Sequence, residues 1–279
     1  MSPHHPRKRF GQHFLADAEV LERIRDAIDP RIGDHLVEIG PGLGALTRWL
    51  IDHDGPLDLI EIDRDLIGQL QPLVSDRPGV SLHEADALRF DWSNLAARGL
   101  PLRVVGNLPY NISTPLLFRL LRFHHLIADM HFLLQREVVE RMAAEPGSKD
   151  YGRLSVMLQY QCQVEPLFVV PPQAFSPPPK VDSQVVRAIP KSTERRANVD
   201  PKRLEAVVRS AFSQRRKTIR NTLSSWASAS QLAALGLDSG LRPQDLSVDD
   251  FVAITNINDP APPHDHPPRR PVPTPQADG

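Results

Sequence analysis

A doubly wound α/β domain on a seven-stranded sheet, followed by a small all-helical domain, is the architecture that the 279-residue sequence predicts. Three observations carry this reading. From His35 onward, short apolar runs alternate with stretches of helical periodicity, the rhythm of a parallel sheet covered on both faces. After Pro190 the apolar residues recur only at helical spacing. The length suits two domains, at roughly 100 to 200 residues each.

In chain order, Asp17, Glu19 and Glu22 open a helical pattern ahead of the first strand. Apolar runs bounded by turn residues then place strands at 35–39, 57–61, 80–83, 102–105, 128–134, 163–170 and 183–189. Helices fit between them at 45–51, 64–73, 115–122 and 137–144. In the second domain Pro201 stands at a first helical turn, with Leu204, Val207, Val208 and Ala211 behind it at helical spacing. A second helix, which includes residues 212–221, runs through Leu223, and shorter ones are expected at 229–235, 242–246 and 248–257. The domain bounds are thus 1–190 and 191–258. The remaining 259–279 is rich in proline and poor in apolar bulk, and is expected to stay disordered. No internal repeat is present.

Composition excludes several classes. Hydrophobic residues at 41% and charged residues at 24% are ordinary for a globular protein, not a fibrous one. Apolar stretches such as 57–60 and 131–134 fall far short of the roughly 20 residues that span a bilayer. Cys162 is the only cysteine, so no intrachain disulfide is possible, and its apolar surroundings read as those of a small buried hydrophobe. The basic, acid-poor start of the chain reads as an arm on a cytoplasmic protein, because acidic residues follow it at once. The net charge of −1 hides a segregation: residues 187–220 carry eleven Lys or Arg against three Asp or Glu, whereas 51–100 carry ten acidic residues against four Arg. Distribution decides nucleic-acid binding more than the total does.

Four motifs carry chemistry. The first runs from Val37 to Thr47, a strand ending in a turn with Gly40, Gly42 and Gly44 that opens a helix. Glycines let the backbone approach a ligand, and Gly40, Gly42 and Ala45 also satisfy the dinucleotide pattern, so a dehydrogenase using NAD stays open at this point. The second is Glu61, an acid ending the second strand 17 positions after Gly44, where a carboxylate can accept ribose hydroxyls. The third is Asp86 after the third strand, placed either to accept from an adenine amine or to cap a turn.

The fourth motif is Gly106 to Pro115, which contains Asn107, Leu108, Pro109 and Tyr110. An adenine 6-amino group is a poor nucleophile because its lone pair is delocalised into the ring. Two acceptors that hold its N–H groups favour a pyramidal nitrogen. The Asn107 amide oxygen and the Leu108 carbonyl are of that kind, with Pro109 setting the turn and Tyr110 offering a ring for a base to stack on. This combination leaves a dehydrogenase without a use for Asn107 to Tyr110.

With these motifs in this order, the chain resembles the ribosomal RNA adenine dimethyltransferase family, on the side of its bacterial small-subunit members. The resemblance runs from about Lys8 to Phe251 and includes residues 9–15, 135–139, 151–156, 174–183 and 212–221. It implies a Rossmann-like methyltransferase sheet, S-adenosylmethionine as cofactor, and cofactor contacts from His13, Leu15, Gly40, Gly42, Glu61, Asp86 and Asn107. His13 stands where the family more often has Asn. The implied reaction is dimethylation of two adjacent adenosines near the 3′ end of 16S rRNA, in maturation of the small ribosomal subunit. No metal is implied, and a monomer is expected. Phe175, in a proline-rich loop, is a candidate to cover the second face of the target base, or else a packing anchor. Arg215, Arg216, Lys217 and Arg220 suit RNA phosphates. A large-subunit rRNA methylase conferring antibiotic resistance, and an RNA-binding assembly factor, are the rivals.

Overall fold

The computed structural model describes residues 13–99, 101–192 and 199–257. The basic arm before His13 and the proline-rich tail lie outside the described residues, as does most of the stretch that joins the two domains. The chain divides into two compact units, Met1–Asn198 and Val199–Gly279.

In the first unit the elements follow the order β1 (Phe14–Leu15), α1 (Ala18–Ile28), β2 (His35–Ile39), α2 (Thr47–Leu50), β3 (Leu57–Glu61), α3 (Arg64–Val74), β4 (Val80–Glu84), β5 (Leu102–Asn107), α4 (Ser113–Leu121), β6 (Ile127–Gln135), α5 (Arg136–Ala143), α6 (Arg153–Gln161), β7 (Cys162–Val170), β8 (Phe175–Ser176) and β9 (Ser183–Pro190). Seven of the strands form one sheet in the order β4-β3-β2-β5-β6-β9-β7. Every residue of β2 and β3 is buried, as central strands covered on both faces must be.

The sheet is not wholly parallel as its rhythm predicted: β9 runs antiparallel to both β6 and β7. A parallel return needs a crossover, usually through a helix. The segment between β7 and β9 carries Pro171, Pro172, Pro177, Pro178 and Pro179, which exclude a helix long enough to cross over. Pro166 sits in β7 itself, an edge strand, and the register shifts between Pro166 and Val169.

Helix α1 begins where Asp17 accepts from the backbone N–H groups of Glu19 and Val20. It buries Val20, Leu21, Ile24 and Ile28, one stripe at helical spacing, in a core shared with Leu36, Leu57, Leu59, Val105, Leu133 and Val185 of the sheet. Arg103 fastens this helix to the sheet, donating to both oxygens of Asp129 at 3.0 and 2.9 Å and to the Ile28 carbonyl. The helix expected at 45–51 shrinks to Thr47–Leu50, with Leu46 and Ile51 flanking it in helical backbone geometry, and the turn before it places Gly42 and Gly44 at φ of 60° and 74°. Cys162 is buried, as its surroundings suggested. No helix among the described residues is long and apolar enough to cross a membrane.

The second unit, by itself, holds α7 (Pro201–Ala211), α8 (Ile219–Thr222), α9 (Ala229–Ala234) and α10 (Val248–Thr255). Pro201 occupies the first turn of α7 behind an Asp200 cap, and Ser247 with Asp250 forms a reciprocal cap on α10. Helix α7 packs against α10, and Leu204, Val207 and Val208 of the one and Phe251 and Ile254 of the other are buried. The expected continuous helix over 212–221 is corrected: Phe212–Gln214 is a 3-10 turn, Arg215 to Thr218 are non-helical, and α8 starts afresh at Ile219. The segment expected as a helix at 242–246 is likewise a 3-10 turn, Pro243–Asp245.

Candidate active site

The carboxyl ends of β2, β3 and β5 and the turn after β4 line a cavity of about 840 Å3. That is where open α/β sheets take their ligands. Its volume falls in the range of small-molecule sites, roughly 300 to 1,000 Å3. It brings together His13, Leu15, Gly40, Gly42, Glu61, Asp86, Asn107, Leu108, Pro109 and Tyr110, every cofactor and catalytic residue expected from the sequence.

Two glycines are dictated by close approach. Gly42 has a φ of 60°, and a Cβ there would stand 3.1 Å from the Phe14 ring. A Cβ on Gly106 would come within 2.5 Å of the Ile39 carbonyl, so β5 can lie beside β2 at this level only without a side chain.

Glu61 is buried and its carboxylate is held on both sides. Oε1 accepts from the N–H groups of Ile62 and Asp63, both at 2.9 Å, and Oε2 accepts from Gly42 N–H at 3.2 Å. Burial pushes its carboxyl above the usual range, against the opposing pull of those three donors. Of roughly four acceptor positions on a carboxylate, three are occupied. One hydroxyl can therefore be accepted as Glu61 stands, and a second requires the long Gly42 contact to yield. Asp86 closes a turn, its Oδ1 accepting from Leu88 N–H at 2.9 Å. This is the capping alternative, although the residue also lines the cavity.

The N-terminal segment reaches the cavity through a pairing with no periodic signature: β1 lies antiparallel to β8, with Leu15 opposite Phe175. Asn107 Nδ2 donates to the His13 carbonyl at 2.9 Å. The amide is thereby oriented, and its Oδ1 accepts no hydrogen bond from any described residue; neither does the Leu108 carbonyl. The His13 ring donates from Nδ1 to the Pro177 carbonyl at 2.8 Å and stacks on Tyr110, with centroids 5.6 Å apart and planes at 29°. The Tyr110 hydroxyl bonds Ser183 Oγ at 2.8 Å. Partial burial holds its phenol above the ordinary tyrosine value, hence neutral.

Phe175 is not brought to the cavity. At 4% exposure it belongs to the core beside Leu15, the packing role, while its neighbours Ser176 and Pro177 line the cavity in its place. Glu38 was missed altogether. Its position inside a buried strand made it look like a core residue, yet it lines the cavity. In the second unit Arg215, Arg216, Lys217 and Arg220 are all exposed, and no described acidic side chain makes a salt bridge with Arg216, Lys217 or Arg220.

A seven-stranded sheet with one reversed strand next to the edge, and a cavity at its carboxyl ends, define an S-adenosylmethionine-dependent methyltransferase. The cavity suits that cofactor on its own terms, with carboxylates at Glu61 and Asp86 against the apolar walls of Ile39, Ile62, Ala87 and Leu88. The ribosomal RNA adenine dimethylase model matches residues 3–259, and the chain belongs to that family. It is 56% identical to the ribosomal RNA small subunit methyltransferase A of Aromatoleum aromaticum, covering 92% of this chain and 95% of that one. Identity to the protein of the same name from Alcanivorax borkumensis is 54%, over 93% and 92% of the two chains. The crystal structure of a dimethyladenosine transferase from Plasmodium falciparum superposes with a TM-score of 0.75 at 26% identity, covering 87% of this chain and 96% of that one.

Proposed function

We propose that this protein transfers methyl groups from S-adenosylmethionine to the exocyclic 6-amino groups of two adjacent adenosines near the 3′ end of 16S rRNA. The observation that carries the reading is the oriented Asn107 amide, its nitrogen tied to the His13 carbonyl and its oxygen without a partner, beside a Leu108 carbonyl that is also unpartnered. Those two acceptors hold the adenine N–H groups and hand the nitrogen a localised lone pair. S-adenosylmethionine supplies an electrophilic methyl group on a sulfonium. Once the new N–C bond forms and the S–C bond breaks, the extra proton leaves the nitrogen to water, so Asn107 need not act as a base. The relatives at more than 50% identity are small-subunit enzymes by name, which favours that subunit over the large one. Incubating the protein with labelled methyl donor and each ribosomal subunit lacking adenine methylation, then mapping the labelled bases, tests the reading. Label confined to the large subunit would overturn it.

Tyr110 is the base-stacking platform. A base sandwiched between two rings needs about 6.8 Å, twice the base rise of roughly 3.4 Å. The His13 and Tyr110 centroids stand 5.6 Å apart, so the target base takes the other face of Tyr110. Tyr110→Ala should cost roughly 1 to 3 kcal/mol of stacking, visible in rate and RNA affinity together. Tyr110→Phe keeps the ring and should retain most of both. Equal losses in the two variants would assign the effect to the phenol and Ser183 instead.

Glu61 holds the ribose of the donor. A hydrogen bond to a charged group contributes about 1.5 to 3 kcal/mol. Glu61→Ala should therefore weaken S-adenosylmethionine binding at least tenfold by calorimetry. A folded variant with parental donor affinity would remove the cavity from the donor.

A further inference from the structure

Two segments outside the glycine turn and the catalytic loop meet at Tyr110. From residues 174–183, the buried Ser183 bonds the phenol hydroxyl at 2.8 Å. That contact pins only the far end of the ring. A ring fixed at Cβ and at its hydroxyl can still turn about the axis joining the two, because χ2 of tyrosine is a soft, broad torsion. A group packed against the ring face removes that freedom. From the N-terminal segment, His13 stands there, its centroid 5.6 Å away and its plane inclined by 29°, within the range of favourable aromatic pairs.

The His13 ring is itself held. Its Nδ1 donates to the Pro177 carbonyl at 2.8 Å, and such a bond to a backbone carbonyl orients an imidazole. Its backbone is tied on both sides. The carbonyl accepts from Asn107 Nδ2 at 2.9 Å, Phe14 and Leu15 pair with Ser176 and Phe175, and Ala16 N–H donates to the Ala174 carbonyl at 2.8 Å. The imidazole is therefore a wall behind Tyr110.

We propose that His13 is a positioning residue for the acceptor base: its ring backs Tyr110 and sets the plane of the stacking platform before RNA arrives. The proposal rests on reading Tyr110 as that platform. With no ring at position 13, Tyr110 is ordered only as the base binds, and ordering a side chain on binding weakens affinity by roughly two- to tenfold. The vacated face of Tyr110 also opens to a base, and a base stacked there is held away from the productive face.

The test is a double-mutant cycle in the full chain, read as affinity for small ribosomal subunits lacking adenine methylation and as single-turnover rate on them. His13→Asn keeps an N–H for the Pro177 carbonyl and removes the ring. His13→Phe keeps a ring and removes the N–H. His13→Asn should weaken subunit binding roughly two- to tenfold and slow turnover, with S-adenosylmethionine affinity by calorimetry within about twofold of the parent. His13→Phe should restore most of both. In the Tyr110→Ala background His13→Asn should add no further loss, because the two side chains act as one unit. A role confined to holding the N-terminal strand would instead give the same loss in both backgrounds and no rescue by Phe. The proposal is overturned by parental subunit affinity and turnover in His13→Asn where Tyr110→Ala is impaired, by an undiminished loss in the Tyr110→Ala background, or by equal losses in His13→Phe and His13→Asn. Parental behaviour of Tyr110→Ala itself would remove the platform reading and this proposal with it, so the two failures are distinguishable.

Discussion

Asn107→Ala is expected to lose about 10² to 10³-fold in single-turnover rate on saturating RNA, the scale seen when one preorganised polar group is removed from the reacting atoms. The side chain sits at the end of β5, where pairing with β6 sets Asn107 opposite Leu133 and the neighbouring Leu108 N–H donates to the Leu133 carbonyl at 3.2 Å. The backbone at this point is therefore held by the sheet rather than by the amide, and the loop should survive truncation. What disappears is the acceptor facing the adenine amine and the hydrogen bond from Nδ2 to the His13 carbonyl. A neutral hydrogen bond contributes only about 0.5 to 1.5 kcal/mol, so donor affinity and melting temperature should fall far less than rate. Near-parental single-turnover rates in this variant would refute the amine-holding role. A rate loss matched by an equal loss of donor affinity would place Asn107 with the cofactor alone.

The parts of this molecule that were legible in the sequence are those in which one local pattern decides the outcome. Strands β2 and β3 read cleanly because Leu36, Val37 and Ile39, and Leu57, Leu59 and Ile60, crowd apolar bulk into five-residue runs bounded by turn residues, and α7 because Pro201 and its apolar stripe agree. The glycine turn, Glu61 and Asn107 stand at strand ends, so each strand reading carried its site residue to the cavity. Other features depend on distant partners. The β1 and β8 strands have two residues each and pair across more than 150 positions, with no periodicity to announce them. Helix α6 buries seven of its nine residues, on more than one face, so no amphipathic stripe marks it. The reversal of β9 follows from prolines in a connection that the apolar rhythm does not weigh. Phe175 could be an anchor or a lid until its pairing with Leu15 placed it in the core. Glu38 shows the converse case: a carboxylate in a buried strand is conspicuous only once a cavity is seen to reach it.

The triple variant in which Gln replaces Arg215, Arg216 and Lys217 is expected to bind RNA with a salt dependence flattened by roughly two to three units in the log–log slope. Each phosphate neutralised contributes about −0.7 to −0.9 to that slope through counterion release, and three lost contacts sum to the expected change. The structure sharpens the reason. On a regular helix, consecutive residues point about 100° apart, so three adjacent cations could not all serve one surface. Here the helix stops at Ala211, and the three residues occupy an exposed turn between Phe212–Gln214 and α8, followed one residue into α8 by the exposed Arg220. A turn can place neighbouring long side chains along one phosphate backbone. An adenine held in structured RNA must be unstacked before it enters any pocket, at a cost of a few kcal/mol, and binding energy gathered away from the pocket offsets that cost. Exposed charges away from caps and buried pairs change stability by less than about 0.5 kcal/mol, so the variant should melt as the parent does. Its S-adenosylmethionine affinity should also be unchanged, while binding to RNA or to the subunit weakens, most strongly at low salt, where the parent draws most on counterion release. An unchanged salt slope would mean that this turn does not touch the RNA, and its three cations would be no more than a solvated surface.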